Sequence, residues 1–390
     1  MLDLSPAETI RYYALAVLGA IVTAAGLGAA LYMEHAGHVV TGMDNQIVWG
    51  LPHVVAIFLI VAASGVLNVA SIGSVFSQAA YKSRAPLSAL LCIALLAGGL
   101  AVIMLDLGRA DRLVVAATHF NWTSVFGWNV ILYPGMFAIV AVYLWTLMET
   151  RIKAWSKPAG VAAFLWRLLL TTGTGSIFAF LVARPGYGSA ILAPMFIIMS
   201  FAWGLAVFIL VQAALWGWRR GTVDADLLRR MKNLLGVFVA AVLFFVAVHL
   251  LTTAYFERQL DFVRFLVAGS EFAPVFWIGQ IFFGGIAPMV LIWWPAALSP
   301  ARVTAAAGLV VFGALCQLWV FIIGGQAFPL DIFPGYSISS SFHDGAVGHY
   351  APRLPEFLLA AGGVGIAFLA TLIGVRVLPF LPREEFAAQS

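Results

Sequence analysis

Cysteine and charge are what this chain has least of. Its 390 residues include two cysteines, Cys92 and Cys316, both inside apolar runs. Two thiols cannot build an iron–sulfur cluster of four cysteine ligands, nor a disulfide framework, and they leave no cysteine-based zinc site. Asp, Glu, Lys and Arg together are only 10% of the residues, while 63% are hydrophobic. A soluble domain carries about 25% charged residues, so composition alone points to an integral membrane protein. In such a chain the net charge of +4 implies no nucleic-acid partner. Basic residues report topology through the loops they occupy.

What is present is a series of long apolar runs. From Leu51 to Ala80 no Asp, Glu, Lys or Arg occurs, and comparable runs recur along the chain. In bilayer hydrocarbon such a run must be a helix, because a helix satisfies its own backbone hydrogen bonds. The expected spans are Arg11–Met33, Gly50–Ser77, Pro86–Leu105, Ser124–Met148, Gly160–Ala183, Leu192–Trp216, Leu234–Phe256, Ala273–Trp294, Val303–Gly324 and Leu358–Val377. The fold class is therefore all-α, a polytopic membrane protein of about ten transmembrane helices forming one integral membrane domain over residues 1–390. Asp3, Glu8 and Arg11 precede the first run, unlike the basic start of a cleaved signal peptide, so that run reads as a retained helix. Pro134 and Pro194 should kink or cap their spans. Gly98, Gly99, Gly173, Gly175, Gly284, Gly285, Gly362 and Gly363 suit close helix–helix approach.

Arg109, Arg112, Arg184, Arg258, Arg264 and Arg353 fall on one side of this layout, and the other fifteen of the 21 basic residues fall on the other. The positive-inside bias then puts both termini in the cytoplasm of a bacterial inner membrane. Trp145, Trp155, Trp166, Trp216, Trp218, Trp293 and Trp294 would form an aromatic belt on that side. Acids and imidazoles gather at the opposite, outer face: Glu34, His35, His38, Asp44, His53, Asp106, His119, Asp331, His343, Asp344 and His349. Groups that titrate near neutrality, collected at one surface, suit proton transfer there.

Each motif carries a chemical and a structural reading. In Leu105–Arg112, LDLGRADR, a helical continuation would set Asp106 and Arg109 on one face within ion-pair reach. The pair could hold a polar headgroup and pass a proton, or simply end the helix as an interfacial salt bridge. Thr118–Asn129, THFNWTSVFGWN, mixes donors with aromatic walls, as a quinone ring and its two carbonyl oxygens require. It is equally an amphipathic interfacial turn. His53 and His249 form a pair of intramembrane histidines, which raises a b-type haem, hydrogen bonding or proton transfer. A two-haem cytochrome would need four such ligands, and only this pair is present. Glu34 and His38 suggest a metal by spacing but lack a third ligand, leaving partner contact or proton exit. Asn68, Gln212, Gln280 and Gln317 should make interhelical hydrogen bonds.

The ten-span layout, Trp49-Gly50 opening the second helix, DLGRADR after the third, HFNWTSVFGWN opening the fourth and RVLPFLP at Arg376–Pro382 resemble the NrfD/polysulfide reductase membrane-subunit family. The segment GLPHVVAIFLIVAASGVLNVASI is most similar to the DsrP branch, linked to sulfur metabolism. This resemblance implies NrfD-like helix bundles and a haem-free, quinone- or quinol-reacting membrane subunit of a respiratory redox complex. Its substrate would be menaquinone or ubiquinone, and this chain would hold no haem, iron–sulfur cluster or metal. Its partners would be an extracytoplasmic ferredoxin-like iron–sulfur subunit, other redox subunits such as cytochromes, and membrane lipid. The resemblance assigns Asp106 and Arg109 as headgroup or proton-relay residues, with His119 and Asn121 beside them. His53 and Glu34 join them on position alone. The family form has Pro after the arginine where this chain has Ala110, which bears on loop rigidity. A secondary transporter, which should show inverted repeats and broken mid-membrane helices, and a b-type cytochrome subunit are the competing classes.

Overall fold

A computed structural model describes residues 5–119, 121–219, 224–330, 336, 345–378 and 380. Ten of its helices are long and apolar enough to cross a membrane. They are α1 (Pro6–Ala36), α2 (Leu51–Ser74), α3 (Ala85–Leu105), α4 (Val125–Met148), α5 (Thr150–Ala179), α6 (Leu192–Leu215), α7 (Ala225–Tyr255), α8 (Phe272–Trp293), α9 (Pro300–Ala327) and α10 (Leu354–Val377). No strand occurs among the described residues. Asp331, His343 and Asp344 lie outside them.

The helices start where local chemistry offers caps. Ser5 and Glu8 form a capping box, so α1 begins five residues before the expected start. The Asp224 carboxylate accepts from the backbone of Asp226 and Leu227, starting α7 well before Leu234. That extension buries Leu227, Leu228 and Met231 while Arg229 and Arg230 stay exposed, an amphipathic turn that charge counting hides. Pro134 sits inside α4, which runs through it. π-Helical stretches occur at Phe265–Gly269, Val275–Ile286 and Trp319–Gly324.

Two consecutive four-helix bundles result. α2 packs on α3, α3 on α4, α4 on α5 and α5 back on α2; α6 to α9 close in the same way. α2 meets α6 and α9, and α5 meets α6, joining the bundles. α1 packs on α10, and α10 lies against α2 and α3. The bilayer itself covers the outside: 89% of the apolar stretch of α2 is buried within the protein but only 22% of that of α1. Small residues set close crossings at Gly26–Gly362, Gly98–Gly363 and Gly284–Gly313, of which Gly98, Gly284, Gly362 and Gly363 were expected. The bundle-to-bundle seam uses a pair not anticipated, Gly65 and Gly204, where an added Cβ would collide with backbone.

Several buried polar groups depart from expectation. Arg167, expected with the loop residues, is buried inside α5, its guanidinium over the rings of Phe164 and Phe201 at 4.8 and 5.1 Å. Trp166 leaves the belt to donate to the Leu132 carbonyl, while Trp145, Trp155, Trp293 and Trp294 are exposed. Gln317 donates to Met199 Sδ, but the Gln212 amide has no hydrogen-bond partner among the described residues.

Candidate functional site

The site forms where α2 begins and α3 ends. Gly50 offers no side-chain cap to α2. The free backbone N–H of Leu51 instead donates to the Tyr350 hydroxyl at 2.6 Å, which donates to the Glu356 carboxylate. Glu356 is fully buried at the start of α10 and also accepts from the backbone of Gly42 and Arg353. Glycine is required at position 50, because a Cβ there would meet the Glu356 carboxylate at 2.7 Å as well as the Tyr350 hydroxyl. The start of α2 is thereby locked to α10 by side chains some 300 residues apart in sequence.

His53, one turn into α2, reaches the carboxylate of Asp106. The Nδ1–Oδ2 separation is 2.9 Å, an ion-pair distance whose angle falls outside a well-aligned hydrogen bond. Asp106 ends α3, its N–H donating to the Val102 carbonyl. On the other side, His38 Nε2 lies 3.0 Å from the Asp106 carbonyl and 3.7 Å from its carboxylate. The Asp106 side chain is 1% exposed, against 18% for His53 and 34% for His38. A carboxylate is thus held between two imidazoles that grade from interior to solvent. Burial alone would raise the Asp106 carboxyl pKa, but His38 and His53 outweigh it and hold the group below its ordinary value. The Asp106 hydrogen bond and charge raise His38 above the ordinary histidine value; Glu34 adds to this, and burial opposes it.

Aromatic rings wall the cluster toward the second bundle. Trp49 stacks on His53 with centroids 6.1 Å apart, and Phe178 meets Trp49 edge-on at 5.6 Å. Phe321 packs on Phe178, and His249 of α7 packs on Phe321. Trp49, Phe178 and Phe321 thus link His53 to His249 through successive ring contacts. The loop before α2 is pinned to α9: Gln326 accepts from the backbone of Val48 and Trp49, and Arg184 donates to the carbonyls of Gln326 and Gln46.

The remaining expected residues do not join the cluster. Arg109 does not pair with Asp106. Gly108, with φ of +69°, turns the chain out of the helix, and Arg109 forms a bidentate pair with Asp111 at 2.9 and 3.0 Å. Both are exposed. His119 is exposed beside Thr118, and Asn121 accepts from Thr123 in the turn that leads to the Ser124 cap of α4. Glu34 is exposed at the end of α1. Tyr350, Glu356, Gln326 and Arg184 were not anticipated; an Asp or Glu at a helix start in so acid-poor a chain is the one signal that could have drawn notice to Glu356. A cavity of about 460 Å³ lies elsewhere, between α10 and α6. Its lining is almost wholly apolar.

Comparison with known proteins fits this architecture. A family model described as "Polysulphide reductase, NrfD" matches residues 39–330, which include Asp106, His53 and the two bundles. The chain is similar to an Hdr-like menaquinol oxidoreductase integral membrane subunit from Archaeoglobus fulgidus, 28% identical over 97% of this chain and 95% of that protein. It is also similar to a selenate reductase subunit from Mesobacillus selenatarsenatis, 22% identical over 88% of each.

Proposed function

The chain belongs to the polysulphide reductase NrfD family, and from that premise we propose that it is the quinone-reactive membrane subunit of a multi-subunit respiratory oxidoreductase, taking protons from quinol at the His38–Asp106–His53 cluster. The observation that carries this reading is the buried Asp106 carboxylate 2.9 Å from His53, at a helix end and beside a stacked Trp49.

Quinol oxidation releases two protons with two electrons, so each hydroxyl needs an acceptor. The partly exposed His53 ring is the base. Asp106 orients it and stabilises the imidazolium that forms, in the manner of a carboxylate behind a catalytic histidine. His38, on the more solvated side of the same carboxylate, returns the proton to water. Trp49 supplies an aromatic wall for the quinone ring. Arg109, His119, Asn121 and Glu34 are exposed, and we assign them to headgroup entry or partner docking. The electrons pass to a partner that holds iron–sulfur clusters of ferredoxin type, alone or with cytochromes, since two separate thiols build no cluster in this chain. Menaquinol is the favoured substrate because a full-length relative is named for it. The DsrP-like segment supports a link to sulfur metabolism, and the basic-residue asymmetry supports cytoplasmic termini with the Asp106 cluster at the outer face.

The deciding experiment is quinol-dependent reduction of the partner clusters in the assembled complex. His53→Gln should abolish most of the rate while leaving the complex intact on purification. Unchanged turnover would move the site elsewhere. Topology has its own test: with both native cysteines replaced, Arg112→Cys should react with an impermeant thiol reagent added to intact cells, and reaction only after lysis would reverse the orientation.

A further inference from the structure

The cavity of about 460 Å³ between α10 and α6 is floored by α2 and α3. Leu59, Leu95, Val211 and Phe368 are representative of its walls; the polar residues there are Arg11 and Thr371. Thr371 is committed, its hydroxyl donating to the Ala367 carbonyl at 2.8 Å. Along α10 the lining runs from Val364 to Val375, about 16 Å at 1.5 Å per residue. That is about half the ~30 Å hydrocarbon core, the depth of a single leaflet.

The cavity mouth is cationic and lies at headgroup level. α1 has 31 residues and so is about 46 Å long, more than the hydrocarbon requires, which places its first turns among the headgroups. α1 and α10 run antiparallel in a constant register: Gly26 against Gly362, Thr23 against Gly365, Gly19 against Leu369. The same register carries Arg376 over the Tyr12 ring at 5.7 Å. Arg376 therefore stands at the level of Arg11, which lines the cavity.

We propose that this groove binds an anionic phospholipid from the leaflet on the side of the two chain ends, with one acyl chain in the cleft and the phosphate at Arg11. The fit follows from an apolar slot one leaflet deep with a guanidinium at its mouth. A quinone headgroup fits it poorly, because the deep walls present no free donors for two carbonyl oxygens. The site is independent of the Asp106 cluster, and its test needs no turnover.

The full chain, delipidated in mild detergent, is titrated with phosphatidylglycerol or phosphatidylcholine of identical acyl chains, with bound lipid counted by native mass spectrometry and stability read by thermal melting. Phosphatidylglycerol should bind about fivefold more tightly, the equivalent of about 1 kcal/mol for one basic residue. Arg11→Gln should erase that preference without changing phosphatidylcholine binding, and Ala214→Trp, at the exposed edge of the cleft, should lower retention of both lipids. Arg11 is exposed, so its variant decides the matter even if Ala214→Trp lowers the melting temperature. Equal binding of the two lipids, a preference that survives Arg11→Gln, or recovery of quinone from the groove would each overturn the proposal.

Discussion

The two four-helix bundles close in the same order, yet they treat polar groups differently. In α2–α5 the histidine has an acid: His53 faces Asp106, and a second imidazole, His38, closes the other side. In α6–α9 the histidine is alone. His249 is buried against Phe321, and its Nδ1 has no hydrogen-bond partner among the described residues. The first arrangement can accept a proton and balance the charge that results; the second would leave a charge unpaired in an apolar interior. The second bundle instead holds its irregularity in the backbone, with π-helical stretches in α8 and α9. Tyr187 donates to the Phe321 and Ile322 carbonyls at one of them. What separates the two histidines is a partnered carboxylate and a partly exposed ring, not position within the membrane.

The sharpest break of this comparison is catalytic. Asp106→Asn should slow quinol-driven reduction of the partner clusters by about 10²–10⁴-fold, the usual worth of positioned acid–base groups, while His249→Gln should leave the rate near wild type. Equal losses from the two variants, followed by stopped-flow spectroscopy, would erase the distinction between the bundles.

The seam comes next. Gly65→Ala drives a methyl into the Ser200 carbonyl, and overpacking of this kind costs about 1–3 kcal/mol. The thermal midpoint should fall. Gly28→Ala, which meets open space on α1, should instead be neutral or stabilise by up to about 1 kcal/mol.

A pH effect follows from His38. Its pKa is raised on folding, so its stabilising contribution is complete below the unfolded value of about 6.5 and is lost as pH rises through the folded value. Asp106 is held below its ordinary value, so its contribution is complete above about 3.9 and is lost as pH falls through the folded value. The cluster is therefore most stabilising between about pH 4 and 6.5. Thermal melts should show a decline on the alkaline side of that window, and His38→Gln should flatten it. The smallest effect belongs to Arg109→Gln. An exposed pair with Asp111 is screened by solvent, so the melting temperature should not move, and quinol turnover should drop far less than with Asp106→Asn.

The ten spans were legible because hydrocarbon admits only helices, and Asp106 and His53 stood out because charge at membrane depth is costly. The partner of Asp106 was not legible. Helical spacing favoured Arg109, three residues on, but Gly108 adopts a left-handed conformation and sends that arginine to Asp111. The true partners, His53 and His38, lie far back along the chain, the latter 68 residues away. The Tyr350–Glu356 lock on Gly50 was hidden for the same reason, as was the clamp of Arg184 and Gln326 on the loop before α2.

By itself, then, the sequence determined the helical class and the number of apolar crossings, since each follows from the transfer of local groups between water and hydrocarbon; it drew notice to Asp106 and His53 but not to the buried Glu356 and Arg167. Only the tertiary structure decided which of those residues meet. Pairing depends on how α2, α3, α10 and the intervening loops are brought together, and that is settled by glycine crossings and side-chain caps between segments as far apart as Leu51 and Tyr350.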